Sequence, residues 1–257
     1  MSVKSADRAL AILELFARER RPLSAHCVQL ALALPASSTI GLMKTLMRAG
    51  HLRFDRRTKL YVPTLRVVLL GDWIRATPLG SDRLRRALDR VVERTGESAF
   101  LSTPNDVAMQ VTHIVLGPQP ITLSVSPGAT VPMLASAVGQ AFLATRPERE
   151  LAALLRRIRR ESPGALPVDV AALRERLALV RRRGWAAAYE VLPGVGAVAT
   201  ALPAAPDEAV SVICVGGPSA RIAEREAELA RMLRECARGA RGSRRASPAV
   251  SDRAAAA

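Results

Sequence analysis

Between residues 5 and 62 the spacing of apolar positions changes period once, and that change restricts the fold more than any other feature of the chain. From Ser5, residues Ala6, Ala9, Leu10, Leu13, Phe16 and Ala17 recur at helical intervals, with Ser5 placed to cap the first turn. Pro22 interrupts the pattern, Ser24 offers a second cap, and Cys27, Val28, Leu30 and Ala31 carry a short second helix toward Leu34. Pro35 precedes a third helix over 37–49, apolar at Ile40, Met43, Leu46 and Met47, with Gly50 placed to end it in the left-handed conformation. After Gly50 the residues alternate. Leu52-Arg53-Phe54-Asp55, the polar turn Arg56-Arg57-Thr58 and then Leu60-Tyr61-Val62 read as a hairpin, so residues 1–63 are expected to form a winged helix-turn-helix.

A helix of this motif enters the major groove, its N-terminal residues reach base edges, and the preceding helix braces against the backbone. With Ile40, Met43 and Met47 assigned to the core, the third helix is expected to present Ser37, Ser38, Thr39, Gly41, Lys44 and Thr45 outward. Hydroxyls can bond bases or phosphates. Lys44, Arg48, Arg53 and the turn residues Arg56, Arg57 and Lys59 can neutralise phosphates, so double-stranded DNA is the expected partner.

Residues 64–78 are apolar and helical in pattern, interrupted by Gly71 and closed by Thr77-Pro78, and are read as a linker helix. A new amphipathic helix runs over 81–95 with Gly96 as its stop. Strands are expected at 99–103, 107–116 and 121–125, helices at 134–145, 148–160 and 168–183, further strands at 185–190, 196–202 and 210–215, and a last helix over 219–237. Strands, then helices, then strands describe an α+β second domain over 79–239 with an antiparallel sheet. Residues 240–257 are rich in Arg, Ser and Ala without periodicity and are expected to be disordered.

Of 257 residues 49% are apolar but only 3% aromatic, so two cores must be filled mainly by Ala, Leu and Val. The formal net charge of +15 favours a polyanionic partner, although Arg is spread through both halves. The chain lacks an apolar run of membrane-spanning length and a signal-peptide core, which points to the cytoplasm and away from membranes. Cys27, Cys214 and Cys236 are odd in number and far apart, as in a reducing compartment. His26, His51 and His113 lack partners at zinc-ligand spacing, Gly194-Val195-Gly196 reads as a turn, and Glu190 and Asp207 are not brought together by any pattern. Neither a metal, nor a cofactor, nor an enzymatic reaction is expected.

Several segments in register are similar to the IclR-type family of bacterial transcription regulators. VKSADRALAILELFA, LPASSTIGLMKTLMRAGHL and LRVVLLG resemble its DNA-binding half; SPGATVPMLASAVGQAFLA, RRRGWAAAYEVLPGVGAVATALPA and VICVGGP resemble its effector domain in the same order. The departures are local: Gly41 replaces a usual Arg, Ala33 a common turn Gly, Ala36 an often basic residue, and Val62-Pro63-Thr64 the usual wing ending, while Lys44 stands at an often neutral position.

The resemblance implies a GAF-like effector domain and assembly as a homodimer or a dimer of dimers. It also implies a pocket at Leu134, Ala135, Ser136 and Ala137, whose backbone N–H groups could hold a carboxylate, together with Glu190, Ala197, Cys214 and Gly216. Ala197, Cys214 and Gly216 stand where relatives often carry Cys, Ser and Ser, so an organic acid with a sizeable apolar part is the expected effector. The expected function is sequence-specific DNA binding modulated by that effector; the alternative is a winged-helix protein whose second domain has lost its sensing role.

Overall fold

The computed structural model describes residues 3–75, 82–161, 169–189, 191–204 and 210–239. The chain divides into two compact units, one up to Ser81 and one from Asp82.

The first unit contains α1 (Lys4–Glu19), α2 (Ala25–Leu32), α3 (Ala36–Arg48), the strands β1 (Leu52–Asp55) and β2 (Leu60–Pro63), and α4 (Leu65–Arg75). Helix α1 begins one residue before the expected cap. Val3 occupies the cap position and makes no side-chain bond, so Ser5 lies inside the helix. Ser24 does cap α2, its Oγ accepting from the Cys27 N–H at 3.1 Å. Helices α2 and α3 meet at 119°, the bend of a helix-turn-helix. Ile12, Leu15, Phe16, Val28, Met43, Leu46, Leu52 and Tyr61 fill the core beneath them. Leu23 exchanges both backbone hydrogen bonds with Tyr61, which fastens the α1–α2 connection to the hairpin as a third strand.

Gly50 takes a φ of +78°, as expected of a helix stop. Just beyond it, Thr64 donates its hydroxyl to the Gly50 carbonyl at 2.6 Å and its N–H to the His51 carbonyl at 2.9 Å. The same hydroxyl caps α4 by accepting from the Arg66 N–H. The start of α4 is thus tied to the end of α3.

The second unit opens with α5 (Asp82–Thr95), β3 (Ser98–Asn105), β4 (Ala108–Val115) and β5 (Thr130–Pro132). Three helices follow, α6 (Ala137–Ala144), α7 (Glu148–Glu161) and α8 (Val170–Arg183), and then β6 (Ala186–Ala188), β7 (Val195–Ala201), β8 (Val212–Pro218), α9 (Ser219–Glu224) and α10 (Glu226–Gly239). The six strands form one antiparallel sheet in the order β5-β4-β3-β8-β7-β6.

Because side chains alternate across a sheet, Phe100 and Cys214 pair on one face while Leu101 and Ile213 pair on the other. The first face packs under α6, α7 and α8, with Leu143, Leu151, Leu155, Leu173 and Leu177 buried against it. The second packs under α5 and α10 through Leu88, Val91, Leu229 and Leu233. The α+β architecture with an antiparallel sheet agrees with the sequence expectation, and among the described residues Phe100 and Phe142 are the only buried aromatics on the two faces of this sheet.

Three expected elements differ. Residues 121–125 form no strand: they lie between Pro120 and Pro127, neither of which can donate to a ladder, and the segment crosses beside β3 instead, the Ser98 and Thr122 hydroxyls 2.5 Å apart. The helix expected from residue 134 starts at Ala137, capped by Ser136, and Thr130–Pro132 pairs with β4 as an edge strand. The last helix is interrupted at Arg225, whose guanidinium turns aside to the Thr95 carbonyl and the Glu228 carboxylate. The expected tail over 240–257 and the end of the linker over 76–78 lie outside the described residues.

Between α5 and β3, Glu97 is buried in a forked ion pair with Arg221, which also donates to the Ile121 carbonyl. Gly217 makes room for it, since a Cβ there would stand 2.5 Å from the carboxylate.

Ala33, at the end of α2, adopts φ +48° and ψ +43°, a conformation that a Cβ disfavours. Ala33→Gly is expected to stabilise the protein by about 1 kcal/mol in a denaturant titration, less what glycine loses in chain entropy; a lower midpoint would show that the strain lies elsewhere.

Candidate nucleic-acid interface and ligand cavity

Along α3, Ser37, Gly41, Lys44, Thr45 and Arg48 are exposed and Ser38 is half-buried. Thr39 is a correction: only 1% of its surface is exposed, and its hydroxyl donates back to the Pro35 carbonyl at 3.1 Å. The stripe that enters the core runs through Thr39, Met43 and Leu46, whereas Ile40 and Met47 are 43% and 38% exposed. Met43 belongs to both the expected and the observed core face, but Thr39 takes the place of Ile40 and Leu46 that of Met47, so the buried stripe is rotated about the helix axis by less than one residue's turn of about 100°. The outward stripe therefore carries Ile40 and Met47 between the polar groups, giving it apolar contact area as well as hydrogen-bonding capacity. Thr45 spends its donor on the Gly41 carbonyl and accepts from Arg48 Nη2.

The hairpin turn is shaped by Asp55. Its carboxylate accepts from the Arg57 and Thr58 N–H groups at 2.8 and 3.3 Å, which holds it below the usual carboxylate range. Lys59 takes a φ of +59°, and Phe54 lies against Tyr61 with ring centres 4.6 Å apart. Arg53, Arg56, Arg57 and Lys59 project into solvent from this frame.

Among the described residues, Lys44, Arg48, Arg53, Arg56, Arg57 and Lys59 are in no ion pair. In the second unit Arg94, Arg157, Arg174, Arg221, Arg225 and Arg231 each hold a carboxylate. Arg85, Arg86, Arg149, Arg156 and Arg176 of the second unit are exposed and in no ion pair among the described residues either, so what distinguishes the cations of α3 and the hairpin is their place on the helix-turn-helix motif, where a polyanion would find them.

The second unit contains a cavity of about 90 Å³ between the sheet and the start of α6. Phe100 and Ser102 of β3, Val111 of β4, Ala197 of β7 and Cys214 of β8 supply the sheet side. Ser136, Ala137 and Val138 close it from α6, Leu123 and Val125 from the segment that replaces the expected strand, and Val191 and Leu192 from the connection before β7.

The start of α6 is seated with little tolerance. Ser136 Oγ accepts from the Gly139 N–H at 3.1 Å and donates to the Pro132 carbonyl at 2.6 Å. Gly139 lies so close to the Met133 carbonyl that a Cβ would stand 1.9 Å from its oxygen. This position requires glycine. The N–H groups of Ala137 and Val138, in the first turn, precede any acceptor the helix itself could provide.

Of the expected pocket residues, the structure brings Ser136, Ala137, Ala197 and Cys214 together on the cavity wall. Leu134 and Ala135 stand behind it, where the Gln140 side chain donates to both of their carbonyls. Gly216 is also off the wall: Leu123 fills its place, 2.7 Å from where a Cβ would be. Glu190 lies outside the described residues. The neighbouring Tyr189 donates to Glu226 at 2.5 Å, burial and that carboxylate together pushing its phenol well above the usual range.

Burial likewise raises the Cys214 thiol to about 12, so it is a neutral group. Sequence reasoning missed Phe100, Ser102, Val111, Leu123 and Val125. The alternation of Phe100 and Ser102 along β3 places both on one face, but which face meets α6 depends on partners more than a hundred residues away.

Comparison with known proteins agrees with this arrangement in both units. Residues 5–56 match the IclR helix-turn-helix domain and residues 81–240 match the bacterial transcriptional regulator IclR C-terminal domain. Two proteins called glycerol operon regulatory protein are similar along almost their whole length. That of Streptomyces griseus is 28% identical over 244 residues, covering 92% of this chain and 94% of its own; that of Streptomyces coelicolor is 26% identical over 245 residues with the same coverage.

Among solved structures, the Thermotoga maritima IclR superposes with a TM-score of 0.66 at 21% identity, covering 92% of this chain and 98% of its own. An IclR family regulator from Brucella abortus gives 0.61 at 23% identity, with 93% and 92% covered. The chain belongs to the IclR family, whose members are transcription regulators and not enzymes, with a helix-turn-helix DNA-binding domain and a C-terminal effector domain.

Proposed function

We propose that this regulator places α3 in the major groove of an operator, lays the hairpin along the phosphate backbone, and changes its DNA affinity when a small organic acid occupies the cavity of the second unit. The observation that carries the DNA part is the collection of unpaired cations, Lys44, Arg48, Arg53, Arg56, Arg57 and Lys59, on the two elements that the motif brings to a duplex. Ser37 and Ser38 lead the helix into the groove and are the candidates for base contacts; Thr39 supports the helix from inside.

The effector part rests on the cavity. Its wall is apolar apart from a few groups, and the first-turn N–H groups of Ala137 and Val138 suit a carboxylate through the positive end of the α6 dipole. An acid with an apolar body would bury that body against Phe100, Val111 and Val138. The two Streptomyces relatives are named for a glycerol operon. Glycerol, with a hydroxyl on every carbon, would exchange water for very few partners here, so that specificity is not extended to this chain.

Self-association fits the surface of the first unit. Leu10 of α1 and Leu65, Val68, Leu69 and Leu70 of α4 are all more than half exposed, an apolar area that a second copy would cover as a homodimer or within a dimer of dimers. Paired heads read half-sites spaced by roughly 34–36 Å or a multiple. A ligand that favours one separation of the heads over another then alters affinity by its differential binding to the two arrangements. The expected cellular setting is the cytoplasm; among the described residues no single helix is long and apolar enough to cross a membrane.

Three measurements test this reading. Gly41 has open space where a Cβ would stand, so Gly41→Arg should be accepted without strain and should stabilise α3 by about 0.5–1 kcal/mol through helix propensity. The added cation should steepen the dependence of log affinity on log salt by roughly one. Conversely, Arg56→Glu combined with Arg57→Glu should weaken binding to every duplex and flatten that slope by roughly two. Unchanged binding in both variants would remove α3 and the hairpin from the interface. For the cavity, benzoate, phenylacetate and hexanoate should include at least one ligand that raises the melting temperature with concentration; a flat response to all three would overturn the organic-acid assignment.

A further inference from the structure

Three polar side chains stand on the cavity wall among the described residues: Ser102, Ser136 and Cys214. Two of them are committed. Ser136 Oγ both donates, to the Pro132 carbonyl, and accepts, from the Gly139 N–H, while the Cys214 thiol is directed at the Val215 carbonyl at 3.5 Å. Ser102 is different. It is 1% exposed, and its hydroxyl has no hydrogen-bond partner in the protein. A buried hydroxyl without a protein partner must be satisfied by whatever occupies the cavity beside it, because leaving it unbonded costs the free energy of its desolvation.

The backbone explains why this side chain is set there. β3 is an inner strand, paired with β4 on one side and β8 on the other, and solvent reaches Ser102 from neither edge. The register between β3 and β4 shifts between Leu101 and Ser102: Leu101 opposes His113, Ser102 opposes Val111, and Thr112 is left over, its hydroxyl donating to the Leu101 carbonyl. The extra residue belongs to β4, so the bulge sets Val111 rather than Thr112 opposite Ser102, whose own direction follows from alternation along β3. Ser102 stands on the same face as Phe100, with Val111 as its neighbour across the ladder, and all three line the cavity.

The charge balance of the wall restricts what can meet this hydroxyl. No described lining residue carries a charge, and Cys214 is held neutral by burial. An ionised group pressed against this part of the sheet would lose its hydration and find no countercharge. An uncharged hydroxyl or carbonyl oxygen would lose far less and recover a hydrogen bond.

We propose that Ser102 is the specificity-determining residue of the cavity, and that it selects a predominantly apolar ligand bearing one uncharged hydroxyl or carbonyl oxygen, which bonds Ser102 Oγ. This deepens the effector reading of the same cavity and rests on it only in requiring that the cavity admit a ligand. An acid held at the start of α6 satisfies it when it carries a second, neutral oxygen; a neutral molecule satisfies it without any carboxylate.

The test uses the full-length protein with phenol and benzene, a pair of near-equal size that differs by one hydroxyl, and reads dissociation constants by calorimetry or by melting temperature against concentration. Ser102→Ala should weaken phenol binding by about threefold to tenfold, the range expected for one neutral hydrogen bond, while benzene binding stays the same or tightens. The unliganded Ser102→Ala protein should melt no lower than wild type, because the hydroxyl it loses was unpaired. Ser102→Cys, nearly isosteric and a poorer hydrogen-bonding group, should lie between the two and serves where the alanine variant does not fold.

An equal response of phenol and benzene to the substitution, or none for phenol, overturns the assignment of Ser102 while leaving the cavity as a ligand site. Failure of both probes to bind the wild-type protein overturns it as well. Binding of phenol through Ser102 with no response to benzoate, phenylacetate or hexanoate would uphold it and reject the organic-acid reading instead.

Discussion

The pairing of β3 with β8 at the centre of the sheet is the interaction on which the second unit depends. Each step along this ladder sends one pair of side chains into the core beneath α6 to α8 and the next pair into the core beneath α5 and α10. Phe100 with Cys214 and Leu101 with Ile213 are adjacent rungs, yet they belong to different cores. A slip of one residue would turn one of the two strands over and carry either Ser102 or Cys214 away from α6. The forked ion pair of Glu97 with Arg221, beyond the Ser98–Gly216 rung at one end of the ladder, guards against that slip, because it joins the entry to β3 with the exit from β8.

The same ladder explains how an apolar cavity survives inside a well-packed unit. On the α6 side the sheet offers small residues, Ala197, Ala199 and Cys214, where larger ones would close the space. Helix α6 cannot settle further, since Gly139 already touches the Met133 carbonyl and Ser136 locks the turn before it. Space is left over because both walls are fixed by hydrogen bonds and neither can relax into it. Proteins rarely leave such voids in their interiors without cause.

Legibility in the sequence followed how local each determinant was. Helix boundaries set by short-range chemistry were readable in part: Ser24 accepts from an N–H three residues on, and Gly50 and Gly96 take positive φ at helix ends, whereas Ser136, which caps α6 in the same way, was passed over for a start at residue 134. The face of α3 was misread because Thr39 is polar by composition but satisfies its own hydroxyl on Pro35, leaving its methyl to behave as core. Residues 121–125 alternate like a strand, but they lie between Pro120 and Pro127 and cross beside β3 without joining a ladder. The family resemblance, not any local pattern, pointed to Ser136, Ala137, Ala197 and Cys214 on the cavity wall. The sheet side of the cavity is assembled from β3, β4, β7 and β8, and no local pattern states which of their alternating residues will face one another.

Two hydrogen bonds from Thr64 to Gly50 and His51 give the first unit a mechanical property. They weld the root of α4 to the foot of α3, so the two helices form an elbow with no joint at its bend. A displacement of α4 is thereby passed to the end of α3 instead of being taken up by a loose loop. In a paired assembly, a small twist imposed on each α4 would therefore re-aim both heads, converting a modest local strain into misregistry along the duplex.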